Sequence, residues 1–128
     1  MSKLSVTAIL ALAVVLTGCS TTVTNLTPSR LPREVTGLYP FEVAFESNQQ
    51  SLVKETIRPS VVVGFESYPM QPASLLKNRW ETLVPVPEGQ TSVHYRYKFD
   101  FDYNAIPQRR SSSLLSSPYA LEITDRAP

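Results

Sequence analysis

The sequence predicts an all-β protein, an antiparallel β-sandwich of about seven strands. In several segments apolar and polar residues alternate with period two, which is typical of strands with one face on a core. Turn-forming residues separate these segments, and the chain contains 11 prolines. Helical periodicity is almost absent from the chain that follows residue 19. An open barrel made of the same strands is the alternative architecture.

The strongest strand signal covers residues 92–103. Six apolar side chains occupy every odd position, and polar or charged residues occupy the even ones. Such strict alternation predicts a long central strand with one buried face. We therefore expect the following side chains in the core: Val93, Tyr95, Tyr97, Phe99, Phe101 and Tyr103.

Other strands are predicted on either side of this one. Alternation places Phe41, Val43 and Phe45 on one face of residues 40–47, and residues 119–124 show the same pattern. A valine run marks residues 60–68, with Gly64 as a bulge. Weaker strands are expected at 52–57, ended by Arg58-Pro59, and at 80–86, followed by a turn at 88–90. Residues 105–118 are expected to form a Pro/Ser-rich loop.

The amino terminus predicts export and anchoring. Lys3 precedes an apolar run, Leu4–Leu16, which is shorter than the roughly 20 residues that a membrane-spanning helix needs. It is typical of a cleavable signal segment. The adjoining Leu16-Thr17-Gly18-Cys19 resembles the lipobox of bacterial lipoproteins. The resemblance implies cleavage before Cys19 and lipidation of that residue, whereas the alternative is an uncleaved anchor with a free thiol.

This resemblance divides the chain into three parts. Residues 1–18 are the lipoprotein signal peptide, residues 19–36 are the lipidated Cys and a tether or first edge strand, and residues 37–128 are the β-sandwich domain. The expected location is the bacterial cell envelope. Ser20, rather than Asp, follows the cysteine, which by the pattern of bacterial lipoproteins favours the outer membrane.

A second resemblance concerns the mature chain. The segment from Asn25-Leu26-Thr27-Pro28-Ser29 through Gly37 to Phe45 resembles the opening of immunoglobulin-like early-set domains. The resemblance implies an immunoglobulin-like sandwich, in which Trp80 could fill the central core position of the immunoglobulin tryptophan. The disulfide of antibody domains cannot form because Cys19 is the only cysteine.

Composition and motifs argue against several functions. The net charge of +1 and the lack of a basic cluster disfavour nucleic-acid binding. His94 is the only histidine, no nucleophile elbow or phosphate loop is present, and an enzyme is not expected. Asp100 and Asp102 provide fewer oxygens than calcium requires. We therefore expect no metal and no cofactor.

The expected function is that of a membrane-anchored lipoprotein acting as a non-catalytic accessory or protein-interaction domain. Its partners would be the membrane, through the lipid, and a protein of the envelope. Binding residues concentrate on loops, so Tyr39, Tyr68 and Met70 are the candidate partner contacts. The alternative is a carbohydrate-binding surface module, which would need exposed aromatic side chains such as Trp80, Tyr95 and Tyr97.

Overall fold

A computed structural model describes residues 20–125 and consists of strands and connecting turns, with no helix in that range. The strands are β1 (Thr21–Asn25), β2 (Arg30–Pro32), β3 (Leu38–Ser47), β4 (Leu52–Val63), β5 (Glu66–Pro69), β6 (Gln71–Pro72), β7 (Arg79–Pro85), β8 (Ser92–Tyr103), β9 (Arg110–Leu115) and β10 (Tyr119–Thr124). The predicted all-β class is confirmed.

The strands form two sheets. The smaller has the order β1-β3-β7-β6, and the larger has the order β2-β10-β8-β4-β5, with β9 also paired to β8. Neighbouring strands are antiparallel, except that β2 and β10 are parallel. The sequence does not decide whether the residues after Cys19 form a tether or a first edge strand. They contain β1, which pairs with β3 from Thr21↔Ser47 to Asn25↔Val43.

The long strand predicted at 92–103 is β8, and it is central in the larger sheet. One edge of β8 pairs with β4, and the other pairs first with β10 and then with β9. Val93, Tyr95, Tyr97 and Phe99 are buried, while Phe101 and Tyr103 are half-buried near the strand end. The predicted face is therefore confirmed.

Aromatic side chains join the two sheets. The ring centroids of Phe41 on β3 and Tyr95 on β8 lie 4.7 Å apart in an edge-to-face arrangement. Phe45 stacks on Phe99 at 4.5 Å. Aromatic pairs of this geometry add about 0.5–1.5 kcal/mol each to the effect of burial. The predicted inward faces of β3 and β10 are also confirmed, since Phe41, Phe45 and Leu121 are buried.

The expectation that Arg58-Pro59 ends a strand is wrong. β4 continues through Pro59, which is opposite Phe99, and its irregular part lies earlier, between Val53 and Arg58. The carbonyl of Pro59 accepts a hydrogen bond from the backbone N–H of Met70. The backbone groups of Pro59 thus point away from β8, so its missing N–H removes no bond from the β4–β8 ladder.

Gly64 forms a turn and not the predicted bulge. Val63 pairs with Glu66, so Gly64 and Phe65 are the two loop residues of a β4–β5 hairpin. Gly64 has a φ of +60°. Phe65 has no positive φ, and a positive φ at the first loop position alone is the signature of a type II′ turn, for which glycine is the preferred residue.

Two further expectations are corrected. Residues 105–118 contain β9, which pairs with β8 from Lys98↔Leu115 to Tyr103↔Arg110. Trp80 does not occupy the core centre: it is half-buried on β7, opposite Val43, and packs against the core from the side. The core centre is filled instead by the aromatic residues of β3 and β8.

Candidate functional site

The predicted partner contacts are not an exposed loop surface. Tyr39 lies on β3 opposite Val84 and is 1% exposed, and Met70 is 7% exposed. Tyr68 is half-buried on β5 and packs against the core. Their large apolar side chains fill space between the sheets, so the expected exposure is wrong for Tyr39 and Met70. Neither can supply contact area to a partner without local unfolding.

Tyr39 instead supports a loop. Its hydroxyl accepts a hydrogen bond from the backbone N–H of Glu34 at 3.0 Å. That bond ties the β2–β3 connection, residues 33–37, to the core. The connection is also held by Arg33, whose Nε donates to Asp125 at 2.8 Å. Tyr39 is therefore a residue that positions this loop.

The most connected polar group in the core is the hydroxyl of Tyr97. It lies 2.7 Å from Thr27 Oγ1, donates to Asn25 Oδ1 at 2.6 Å and lies 3.1 Å from the carbonyl oxygen of Glu42. Asn25 Nδ2 in turn donates to the hydroxyl of Tyr95 at 2.9 Å. This cluster joins the larger sheet to β1 and β3, and its members satisfy one another.

Burial dominates the acidity of this cluster. Burial raises the pKa of Tyr97 well above its ordinary value, and the hydrogen bond with Thr27 opposes the shift. Burial likewise raises the pKa of Tyr95, against the hydrogen bond from Asn25. Both phenols therefore stay protonated at neutral pH. Since each hydroxyl already has protein partners in the core, the cluster has a structural role.

The outer face of β8 carries the other titratable residues that the sequence indicates. Asp100 and Asp102 accept hydrogen bonds from Ser113 and Ser111 of β9. Asp100 also lies 3.8 Å from Lys98 Nζ. Residues 20–125 contain no group of three or more potential metal ligands. His94 is exposed on the same face, paired in register with Ala120.

The aromatic stripe of β8 is not available for sugar stacking. Tyr95 and Tyr97 are at most 2% exposed. Their rings contact each other and Tyr119, with centroids 5.6–5.8 Å apart. Tyr95 and Tyr97 thus belong to the core and do not form the exposed aromatic surface that a carbohydrate-binding module needs.

The two ends of the sandwich differ and contain the most exposed apolar residues. We call the first the Ser20 end: the loops 48–51, 73–78 and 104–109. Ser20 N donates to Asn48 Oδ1 at 2.6 Å, and Asn48 N donates to Ser20 O at 3.1 Å. Asn78 O accepts from Phe45 N, and Asn104 N donates to Ser51 O, which places all three loops together.

The opposite end, here the Phe65 end, consists of residues 33–37, 64–65 and 86–91 together with Asp125. Phe65 and Val35 are almost fully exposed there, at 106% and 97%. Beside Val35 lies an open cavity of about 550 Å³, lined by Arg33, Glu34, Val35, Thr36, Gly37, Tyr39, Val86, Glu88 and Asp125. A smaller cavity of about 400 Å³ lies at the Ser20 end, beside Phe45 and Leu52.

The four most exposed large apolar side chains lie in turns and loops, and they are Phe65, Leu75, Val35 and Ile106. The sequence did not single out Phe65, Val35 or Ile106 as surface residues. For Phe65 a signal was present, because a glycine followed by a large residue directly after a valine run is compatible with a two-residue hairpin. Cys19, the predicted lipidation site, lies outside the described residues.

No family model, curated protein or solved structure matches this chain. Within residues 20–125 there is also no helix long and apolar enough to cross a membrane.

Proposed function

We propose that this chain is a bacterial lipoprotein, anchored through Cys19, whose domain is a non-catalytic accessory module that binds a protein partner in the cell envelope. The favoured location is the outer membrane. The observation that carries the proposal is the position of Ser20. It is held by two hydrogen bonds at one end of the sandwich, while exposed Phe65 and Val35 lie at the other.

The strand order supports an immunoglobulin-like topology for this module. Immunoglobulin domains have one sheet in the order ABED and a second built from C, F and G. In sheet order, β1, β3, β7 and β6 correspond to A, B, E and D, and β4, β8 and β10 correspond to C, F and G. β5 takes the place of C′ beside C. β2 and β9 are additions to this plan.

The anchor end and the binding end follow from this arrangement. Ser20 is bonded to Cys19, so a lipid on Cys19 attaches the domain at the Ser20 end. The Phe65 end then faces away from the membrane and is free to meet a partner. Exposed aromatic side chains are frequent anchors of protein interfaces. Phe65, in a two-residue turn, and Val35, beside the cavity, are the proposed partner contacts.

Affinity capture of the cross-linked, membrane-extracted protein tests this surface. Phe65→Ala together with Val35→Ala should remove the captured partner and leave the thermal midpoint almost unchanged, because both side chains are exposed. Leu115→Ala, an exposed change on β9 that lies outside both ends, is the control and should retain the partner. Capture that survives the double change, or that is lost equally with Leu115→Ala, would contradict the proposed surface.

A further inference from the structure

The Ser20 end has very little freedom to move away from the proposed anchor. One peptide bond joins Ser20 to Cys19, which fixes their Cα atoms about 3.8 Å apart. The reciprocal hydrogen bonds between Ser20 and Asn48 begin the folded domain at this position, and β1 starts at Thr21. An acylated Cys19 would therefore place the loops of this end at the bilayer surface, with no flexible spacer between them.

Those loops expose apolar side chains. Ile106 is 97% exposed in the β8–β9 connection, and Leu75 is 104% exposed in the β6–β7 connection, with Leu76 next to it at 48%. Exposed isoleucine and leucine at the tips of polar loops contribute nothing to the core. At the interface of a bilayer, by contrast, apolar side chains favour binding in proportion to the area that they bury.

The loops of this end carry basic side chains. The loops and their first following residues, 48–51, 73–79 and 104–110, contain Lys77, Arg79, Arg109 and Arg110 and no carboxylate. Two acidic side chains, Glu46 on β3 and Glu55 on β4, line cavities beside these loops together with Lys54, so the end as a whole is net basic. Basic residues near an anionic membrane are attracted to its surface potential.

The Phe65 end has the opposite balance. Among residues 20–125, the one cation of this end is Arg33, which is paired with Asp125. The other charged residues of this end are Glu34 and Glu88. Over residues 20–125, the domain thus has a net basic, apolar-tipped end at its attachment point and a net acidic end opposite, so an anionic surface favours one orientation over the other.

We infer that the Ser20 end is a membrane-docking surface: Ile106, Leu75 and Leu76 enter the interface of an anionic phospholipid bilayer, and the adjacent Lys and Arg side chains bind its headgroups. This inference rests on the proposed lipid anchor at Cys19. Docking fixes the orientation of the domain, and the Phe65 end then faces away from the bilayer at a constant angle. The occupant of this surface is lipid, rather than a second protein.

The test uses the full lipoprotein reconstituted into vesicles of phosphatidylethanolamine and phosphatidylglycerol. Ile106→Cys carries an environment-sensitive fluorophore, and Phe65→Cys carries the same probe at the opposite end as the matched control. Acylated Cys19 has no free thiol, so the probe reacts only with the introduced residue. The probe at Ile106 should be blue-shifted and quenched by nitroxide-labelled lipids, and the probe at Phe65 should show neither effect.

A charge variant tests the electrostatic part. Arg109→Gln with Arg110→Gln should shift the equilibrium from docked to undocked by about fivefold for each charge, the factor equivalent to roughly 1 kcal/mol per basic residue at an anionic surface. Vesicles of phosphatidylcholine alone should weaken docking in the same direction. An unchanged thermal midpoint should accompany the variant, since both arginines are exposed.

Flotation of the same samples separates the two proposals. Protein that does not float with the vesicles lacks the anchor, which would overturn the proposed anchoring and the docking with it. Protein that floats while the Ile106 probe stays unquenched has the anchor but no docking surface. A blue shift at Ile106 without quenching by nitroxide lipids would mean that protein covers this end, which would also overturn the inference.

Discussion

Removing the Tyr97 hydroxyl tests whether the buried polar cluster holds the two sheets together. Tyr97→Phe keeps the ring and its packing against Tyr95, whose centroid lies 5.6 Å away. It deletes the contacts of the hydroxyl with Thr27, Asn25 and the carbonyl of Glu42. The change is thus specific to hydrogen bonding across the sheets.

The loss of stability in Tyr97→Phe follows from the hydrogen bonds that each former partner of the hydroxyl keeps. Asn25 Oδ1 still accepts from Thr27 N, and Thr27 Oγ1 still accepts from Glu42 N. No partner is left wholly unsatisfied, so the loss is that of one to two buried hydrogen bonds, about 1–3 kcal/mol. For a domain of this size that lowers the thermal midpoint by roughly 4–12 °C.

Urea unfolding of the mature protein, followed by the fluorescence of Trp80, measures the effect. The midpoint should fall while the m-value stays constant, because a loss of stability alone leaves m unchanged. Tyr119→Phe is the control, since the Tyr119 hydroxyl makes no hydrogen bond with residues 20–125 and should change stability little. A Tyr97→Phe protein as stable as the parent would refute the structural role of the cluster.

Two further predictions concern the same strand. Burial raises the pKa of Tyr97 and of Tyr95, so the folded state keeps protons that the unfolded state loses above about pH 10. The contribution of these tyrosines to stability should therefore be complete below that pH and fall as the pH rises. Tyr97→Phe should flatten this fall in urea titrations at several pH values, and an unchanged slope would contradict the raised pKa of Tyr97. Phe99→Ala deletes a buried aromatic side chain and should lower the free energy of unfolding by about 3–5 kcal/mol. His94→Ala, on the outer face of β8, should lower it by less than about 0.5 kcal/mol. Similar losses for the two variants in calorimetry would contradict the assignment of the buried and outer faces.

Strands with strict alternation were predictable from sequence because one buried face imposes period two on the residues. β3, β8 and β10 have this pattern, and their inward side chains, such as Phe41, Phe99 and Leu121, are buried as expected. β9 was not predictable, because its serines owe their strand conformation to pairing with β8 and to hydrogen bonds with Asp100 and Asp102.

The candidate surface was harder to predict, because exposure depends on the partner strand. Proline beside Tyr39 and on both sides of Met70 suggested loops, yet Tyr39 is an inward position of β3 and Met70 bonds to Pro59 across β4. Conversely, Phe65 continues an apolar run in sequence, and only the hairpin register leaves it in solvent. The two ends likewise become visible only when distant loops are brought together.

Intact mass spectrometry of the membrane-extracted protein tests the central claim most directly. We predict a chain that begins at Cys19 and carries the mass of a diacylglycerol on its sulfur, with or without a third acyl chain on its amino group. Cys19→Ser should give uncleaved precursor without this mass. A native protein that still carries residues 1–18, or that begins at Cys19 with an unmodified thiol, would contradict the proposed lipid anchor.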